Sequence, residues 1–218
     1  MNYLYRSLLV KCNVHQRRFD ILREERAQGI IDEWTLNRLT EALMSDLWQT
    51  WCLFCRRLLH QSCRGGVCLD MSVVYPRITT SDNSWKRIGF EASRAGLSCS
   101  ATGHTNFFMR REPTWGDRDK IVSLINALNP QNKSRLLSAF GLPLKDLNHL
   151  QSARNAGAHK NVETMKELIS QMVLHYNIVT LKNPSDLAWA IKNGTGNFAF
   201  YNWLYEIRII AKNAVQSK

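Results

Sequence analysis

A long run of regularly spaced apolar residues is the feature that most constrains how this chain can fold. Between Trp34 and Leu59, apolar side chains recur every three or four residues, which places them on one face of a helix. Asp32 precedes the run as a candidate cap, and Gly65 and Gly66 follow it as a stop signal. The pattern predicts a long amphipathic helix whose apolar face must be buried. These residues are Trp34, Leu36, Leu39, Leu43, Leu47, Trp48, Trp51, Phe54, Cys55, Leu58 and Leu59.

Most of the remaining chain carries helical patterns of the same kind. The expected helices cover residues 3–28, two short segments between 114 and 141, a longer segment from 144 to 176 with a break near 157–161, and the segments 187–191 and 198–214. Helix on this scale exceeds the one-third that is typical of globular domains. We therefore expect an all-α helical bundle that forms a single domain over residues 1–218.

Residues 64–115 differ in composition from the helical segments around them. They are rich in Gly, Ser and Thr and contain the β-branched pair Val73 and Val74. We expect an irregular insertion within the helical domain, with one or two short strands and a short helix from Trp85 to Gly96.

The charge balance indicates a polyanionic partner. The chain has 29 Lys and Arg against 18 Asp and Glu, which gives a net charge of +11. Arginine outnumbers lysine by 18 to 11, and guanidinium groups bind phosphate through paired hydrogen bonds. This bias favours RNA or DNA, although a merely basic surface remains the alternative.

No part of the sequence resembles a membrane segment or an export signal. Arg6 interrupts the apolar N-terminal segment, and no uncharged apolar run reaches the roughly 18 residues that spanning a bilayer requires. We expect a cytoplasmic protein with no membrane partner.

The cysteines allow two interpretations. Cys52, Cys55 and His60 follow a C-x2-C-x4-H order that zinc could use, with Cys63 and Cys68 behind them. The spacing of these last two cysteines does not complete a zinc knuckle, and Cys52 and Cys55 lie within the apolar helix. We favour reduced, packed thiols over structural zinc and expect no metal site.

Several common enzyme classes lack support. The sequence contains no phosphate-binding G-x-x-x-x-G-K-[ST] loop, no dinucleotide-binding G-x-G-x-x-G, no G-x-S-x-G elbow and no H-E-x-x-H helix. We accordingly expect no cofactor.

The segment from Ala153 to Lys160 carries the clearest candidate chemistry. Arg154 follows Leu147 and Leu150 on what the pattern predicts to be the apolar face, where a charge needs a partner or a cleft. Asn155 and His159 are four residues apart and share a helical face. A neutral imidazole can take the proton of an RNA 2′-hydroxyl, and a guanidinium can stabilise charge on the phosphate, with no metal required. A structural salt bridge or a helix cap is the alternative role.

The sequence RNAGAHK resembles the R-x4-6-H motif of the HEPN superfamily, whose ribonuclease members often carry a polar residue directly after the arginine. The resemblance implies an all-α bundle that dimerises around a shared cleft and cleaves RNA without metal, as toxins and anti-phage abortive-infection proteins do. It assigns catalysis to Arg154, Asn155 and His159.

The expected partners follow from this assignment. We expect RNA as substrate, bound with the help of Lys160, Arg56 and Arg57, a homodimer, and an antitoxin or regulatory partner protein. The alternative is a non-catalytic helical RNA-binding or scaffold subunit of a defence complex.

Overall fold

Helices form wherever the apolar residues repeat at three- and four-residue spacing. A computed structural model describes residues 1–77, 84–95, 97–172, 174–177 and 181–216. Helix α1 spans Asn2–Ala27 and α2 spans Glu33–Arg64. Asp32 Oδ1 accepts a hydrogen bond from the Thr35 backbone at 2.9 Å and so caps α2, as expected. Gly65 follows α2 with a φ of 88°, a left-handed conformation that glycine adopts without strain.

The described residues contain six further α-helices and two short 3-10 helices. The all-α fold that the sequence predicts is confirmed. The α-helices are α3 (Trp85–Ser93), α4 (Arg118–Leu128), α5 (Lys133–Phe140), α6 (Asp146–His159), α7 (Val162–Met172) and α8 (Ala199–Val215), and the 3-10 helices are Met109–Arg111 and Pro184–Trp189.

Two antiparallel pairs of two-residue strands complete the described structure. Strand β1 (Gly66–Val67) pairs with β2 (Val73–Val74), and β3 (Tyr176–Asn177) pairs with β4 (Ile191–Lys192). The first pair lies within 64–115, as does α3, so the expected short strands and short helix of this insertion are confirmed. Gly96, the expected end of that helix, lies outside the described residues. The second pair is not predicted from the sequence.

The break between α6 and α7 lies within the predicted interval. Lys160 adopts a left-handed conformation with a φ of 49°, and its N–H donates to the Ala156 carbonyl at 2.9 Å, which ends α6. Asn161 Oδ1 then accepts from the Thr164 backbone at 2.8 Å and caps α7. Because the chain turns here, the apolar face does not continue as the sequence pattern suggested, and Ala158 and Val162 are exposed.

The chain forms two compact units, and α1, α2 and α8 contribute residues to both. The first unit comprises Met1–Leu8, Trp51–Pro143 and Ile209–Lys218. Trp51 lies in its core, where the indole N–H donates to the Gly116 carbonyl at 3.1 Å and the ring packs near Phe140. The insertion 64–115 belongs entirely to this unit.

The second unit comprises Leu9–Thr50 and Leu144–Arg208 and contains α6. Its aromatic core is built on Phe19, which stacks on Trp189 at 4.4 Å and on Phe200 at 4.5 Å between ring centroids. The expected single domain over 1–218 stays a prediction, since compactness alone does not decide whether the two units fold together.

All six cysteines are free thiols. Cys12, Cys55, Cys63 and Cys68 are buried, which agrees with the expected packing role, whereas Cys99 is exposed and departs from it. Burial raises the pKa of Cys63 to about 11, as expected for an unreactive core thiol. Within the described ranges, no three His, Cys, Asp or Glu side chains are grouped so that they could hold a metal ion.

Candidate functional site

The start of α6 is fixed by a carboxylate from α8. Glu206 is buried, and its two oxygens accept hydrogen bonds from the backbone N–H groups of Asp146 and Leu147, both at 2.9 Å. These groups have no partner within their own helix, so Glu206 acts as a cap supplied from a distant part of the chain. Burial is the main cause that raises the pKa of Glu206.

A buried polar network holds the same end of α6 against β3 and β4. The ammonium of Lys192 donates to Asp146 Oδ2 at 2.5 Å, and His149 Nδ1 lies 2.9 Å from the Tyr176 hydroxyl. Although burial disfavours a charged carboxylate, hydrogen bonds from His149 and Lys192 keep the pKa of Asp146 below its usual value. Asp146, His149 and Tyr176 are buried, so this network positions α6 and is not open to a macromolecular substrate.

Arg154 lies on the flank of α6 and not on its buried face. The buried residues of the helix are Asp146, Leu147, His149, Leu150, Ala153 and Ala156. Arg154 is half-buried and borders the apolar face on which the sequence pattern predicted it. The described residues include no ion pair to Arg154, and the structural salt bridge considered from the sequence is not present among them.

The guanidinium of Arg154 bonds to the neighbouring amide. Its Nη1 donates to Asn155 Oδ1 at 3.2 Å. Along a regular helix, Arg154 and His159 point about 140° apart, whereas Asn155 and His159 are separated by only about 40°. The hydrogen bond therefore draws the guanidinium towards the face that Asn155 shares with His159.

His159 is the last residue of α6, and its side chain is exposed. No described carboxylate lies within ion-pair distance of its ring. A substrate phosphate could therefore approach the imidazole without displacing a protein partner.

Lys160 borders the same end of the helix. Its ammonium lies 3.7 Å from Glu41 Oε2, and Glu41 also accepts from Arg38 at 3.0 Å. The Lys160 side chain is 52% exposed, so the ion pair with Glu41 is weak and open to competition from a phosphate.

Arg56 and Arg57, the other residues expected to bind RNA, lie on α2 in the first unit, whereas Lys160 lies in the second. The Arg56 guanidinium forms a two-point ion pair with Glu112, in which Nη2 is 2.9 Å from Oε1. Its hydrogen-bonding capacity is thus largely used. Arg57 is exposed and has no acidic partner among the described residues.

Sequence reasoning missed the cleft beside these arginines. Its volume is ≈ 790 Å³, and Arg57, Arg64 and Trp85 contribute to its lining. Only the four-residue spacing of Arg56, His60 and Arg64 was visible in the sequence, since Trp85 comes 21 residues after Arg64.

Comparisons with protein-family models, with curated proteins and with solved structures find no match for this chain. None of its described helices is long and apolar enough to cross a membrane.

Proposed function

We propose that this protein is an endoribonuclease that cleaves RNA without a metal ion, with Arg154, Asn155 and His159 as its catalytic residues. The hydrogen bond from Arg154 to Asn155 is the observation that carries the proposal. It links a half-buried cation to the face of α6 that ends in an exposed imidazole, which is an arrangement suited to a phosphodiester.

Each residue has a defined chemical role in the proposed reaction. Neutral His159 takes the proton of the 2′-hydroxyl, and the freed oxygen attacks the adjacent phosphorus. Arg154 stabilises the negative charge that builds on the phosphate oxygens, and Asn155 holds the guanidinium in place. The bond from phosphorus to the 5′-oxygen breaks, the leaving oxygen takes a proton from water, and protonated His159 gives its proton to the hydroxide that remains. The products are a 2′,3′-cyclic phosphate and a 5′-hydroxyl.

The resemblance to HEPN ribonucleases supports two further parts of the proposal. The enzyme would act as a homodimer, and it would be the toxin or effector of an anti-phage or toxin–antitoxin system, restrained by a partner protein. Lys160, one residue beyond His159, would hold a neighbouring phosphate of the RNA.

The alternative is a helical RNA-binding subunit that cuts nothing. The cleft beside Arg57 and Trp85 favours RNA binding in general, and it fits both candidates. An exposed imidazole with no described partner, on the same helix as Arg154, favours the enzyme, because a binding surface has no need for a proton acceptor.

Variants of α6 test the proposal directly. Arg154→Ala and His159→Ala should each lower RNA cleavage at least about 100-fold with unchanged circular dichroism, since both groups act on the reacting phosphate. Asn155→Ala should lower it less, because this residue acts through Arg154. Lys166→Ala, an exposed change on α7, is the matched control and should leave cleavage unchanged. Undiminished cleavage by Arg154→Ala or His159→Ala would contradict the assignment.

A further inference from the structure

The cleft in the first unit is strongly cationic. It has a volume of ≈ 790 Å³, within the range of small-ligand sites, and three of its lining residues are Arg56, Arg57 and Arg64. None of the described residues that line it is acidic. Glu112 neutralises Arg56, but Arg57 and Arg64 are exposed and form no ion pair within the described part of the chain. Two guanidinium groups without an acidic partner among the described residues therefore line this opening.

An indole ring lies beside these cations. Trp85 stacks on His60 with 4.3 Å between ring centroids, and the guanidinium carbons of Arg56 and Arg64 lie 5.4 and 5.5 Å from its centre. Arg56, His60 and Arg64 are spaced four residues apart on α2, so all three contact Trp85 from one helical face. The ring is held by these contacts, yet 39% of Trp85 remains exposed.

This combination matches the chemistry of a nucleotide. A flat, immobilised indole can stack on a base, and guanidinium groups bind phosphate through paired hydrogen bonds. Tyr3, whose side chain is 77% exposed at the cleft, offers a second aromatic surface. An acidic peptide would use the arginines but would leave the indole without a partner.

We infer that this cleft binds one nucleotide unit, with its base stacked on Trp85 and its phosphate held by Arg57 and Arg64. Arg56 acts as a positioning residue, because its ion pair with Glu112 and its contact with Trp85 keep the indole in place. The inference goes beyond the proposed function, since binding in the cleft requires no cleavage at α6.

A binding measurement tests the inference without relying on catalysis. A fluorescein-labelled six-nucleotide RNA is titrated with the full chain and followed by anisotropy, with His159→Ala in every protein so that the RNA stays whole. The Arg57→Gln/Arg64→Gln double variant should bind about tenfold or more weakly, and its affinity should fall less steeply with salt, by about 0.7 in the log–log slope per arginine removed. Both side chains are exposed, so the fold should persist.

Two further variants separate stacking from charge. Trp85→Leu should weaken binding about tenfold without changing the salt slope, because it removes the stacking surface and leaves every charge in place. Arg17→Gln removes one arginine charge from an exposed position outside the cleft and serves as the control, with affinity within about twofold of the parent.

Competition by free adenosine monophosphate shows whether the cleft takes a single nucleotide or a nucleotide within an RNA strand. Displacement of the labelled RNA by the free nucleotide, lost in the double variant, would indicate that single nucleotides occupy the cleft. Binding of RNA that is lost in the double variant and resists the free nucleotide would indicate a strand. If the double variant binds both RNA and the free nucleotide as tightly as Arg17→Gln, the inference is wrong.

Discussion

At the scale of single residues, the backbone of Lys160 affects the stability of the protein, and its side chain affects the proposed binding of RNA. Its φ of 49° places a residue with a Cβ in the left-handed region, which costs about 1 kcal/mol and which glycine adopts freely. The same side chain supplies an exposed ammonium beside the proposed site. The backbone conformation of Lys160 therefore lowers stability, whereas its side chain favours the proposed binding of RNA.

The variant Lys160→Gly should be more stable than Lys160→Ala by about 1 kcal/mol, since both remove the ammonium but only glycine relieves the left-handed strain. Both variants should raise the KM for RNA a few-fold, with little change in kcat. Chemical denaturation and steady-state cleavage measure the two effects. Equal stability of the two variants would contradict the role given to this turn.

The burial of His60 makes stability depend on pH. Both ring nitrogens are buried without a hydrogen-bond partner in the described structure, and burial, with a smaller contribution from the charge of Arg56, lowers the pKa of His60 to about 4. Between pH 6.5 and 4 the unfolded chain therefore binds a proton that the folded chain does not, so stability falls as the pH is lowered through this range.

The variant His60→Phe replaces the imidazole with an apolar ring that binds no proton in the folded or the unfolded chain. From pH 7 to pH 5, the free energy of unfolding should fall by about 2 kcal/mol less in His60→Phe than in the wild type. The other titrating groups are common to both proteins, so their contributions cancel. Urea denaturation at the two pH values gives the difference. Parallel losses in both proteins would show that His60 is not kept neutral by burial.

At the scale of elements, most helices follow from the sequence because each carries its own apolar periodicity and local stop signals. Asp32 and Gly65 mark helix ends that the structure confirms. The break between α6 and α7 was also visible in the sequence. Its exact position depends on the left-handed turn at Lys160, which propensity alone does not indicate.

The contacts that hold α6 could not be predicted. Glu206, Tyr176 and Lys192 lie 30 to 60 residues from Asp146, and only tertiary packing brings them together. The half-buried position of Arg154 depends on the same packing. Sequence spacing therefore identified the candidate residues of the site but not how the fold supports them.

The ion pair between Lys192 and Asp146 should stabilise the start of α6. Lys192→Met leaves a buried carboxylate without its cation and should lower the free energy of unfolding at pH 7 by about 2 kcal/mol, a value reduced because Lys192 is 26% exposed. Lys182→Met, an exposed change nearby in sequence, is the control and should cost less than about 0.5 kcal/mol.

The contribution of the ion pair between Lys192 and Asp146 to stability should decrease at low pH. The pKa of Asp146 is lowered in the folded chain, so its stabilising contribution is present above the usual value of 3.8 and is lost as the pH falls below it. The difference in the free energy of unfolding between wild type and Lys192→Met should therefore become smaller as the pH falls below 3.8. A difference that stays constant down to pH 3 would contradict the ion pair.

At the scale of the whole molecule, the long helix α2 no longer argues for a dimer by itself. Its apolar run from Trp34 to Leu59 carries more apolar surface than one short bundle need bury, and from the sequence alone this favours a dimer. Trp48 and Trp51 are in fact buried within the chain, whereas Trp34 remains 69% exposed. The proposal of a dimer now depends on the resemblance of the RNAGAHK segment to HEPN ribonucleases.

Light scattering at micromolar concentration measures this directly. We expect a mass of twice 25.2 kDa, about 50 kDa, because the shared-cleft arrangement needs two copies of α6 and an obligate interface is large enough to persist at that concentration. A fully active monomer would show that one copy of α6 is sufficient.

The chemical ends of the RNA products test the central claim most directly. If His159 activates the 2′-hydroxyl, cleavage by the wild-type protein should leave 2′,3′-cyclic phosphate and 5′-hydroxyl ends, proceed unchanged in EDTA, spare DNA, and disappear in His159→Ala. Cleavage of DNA, 5′-phosphate ends, loss of activity in EDTA, or the same products from His159→Ala would contradict the account.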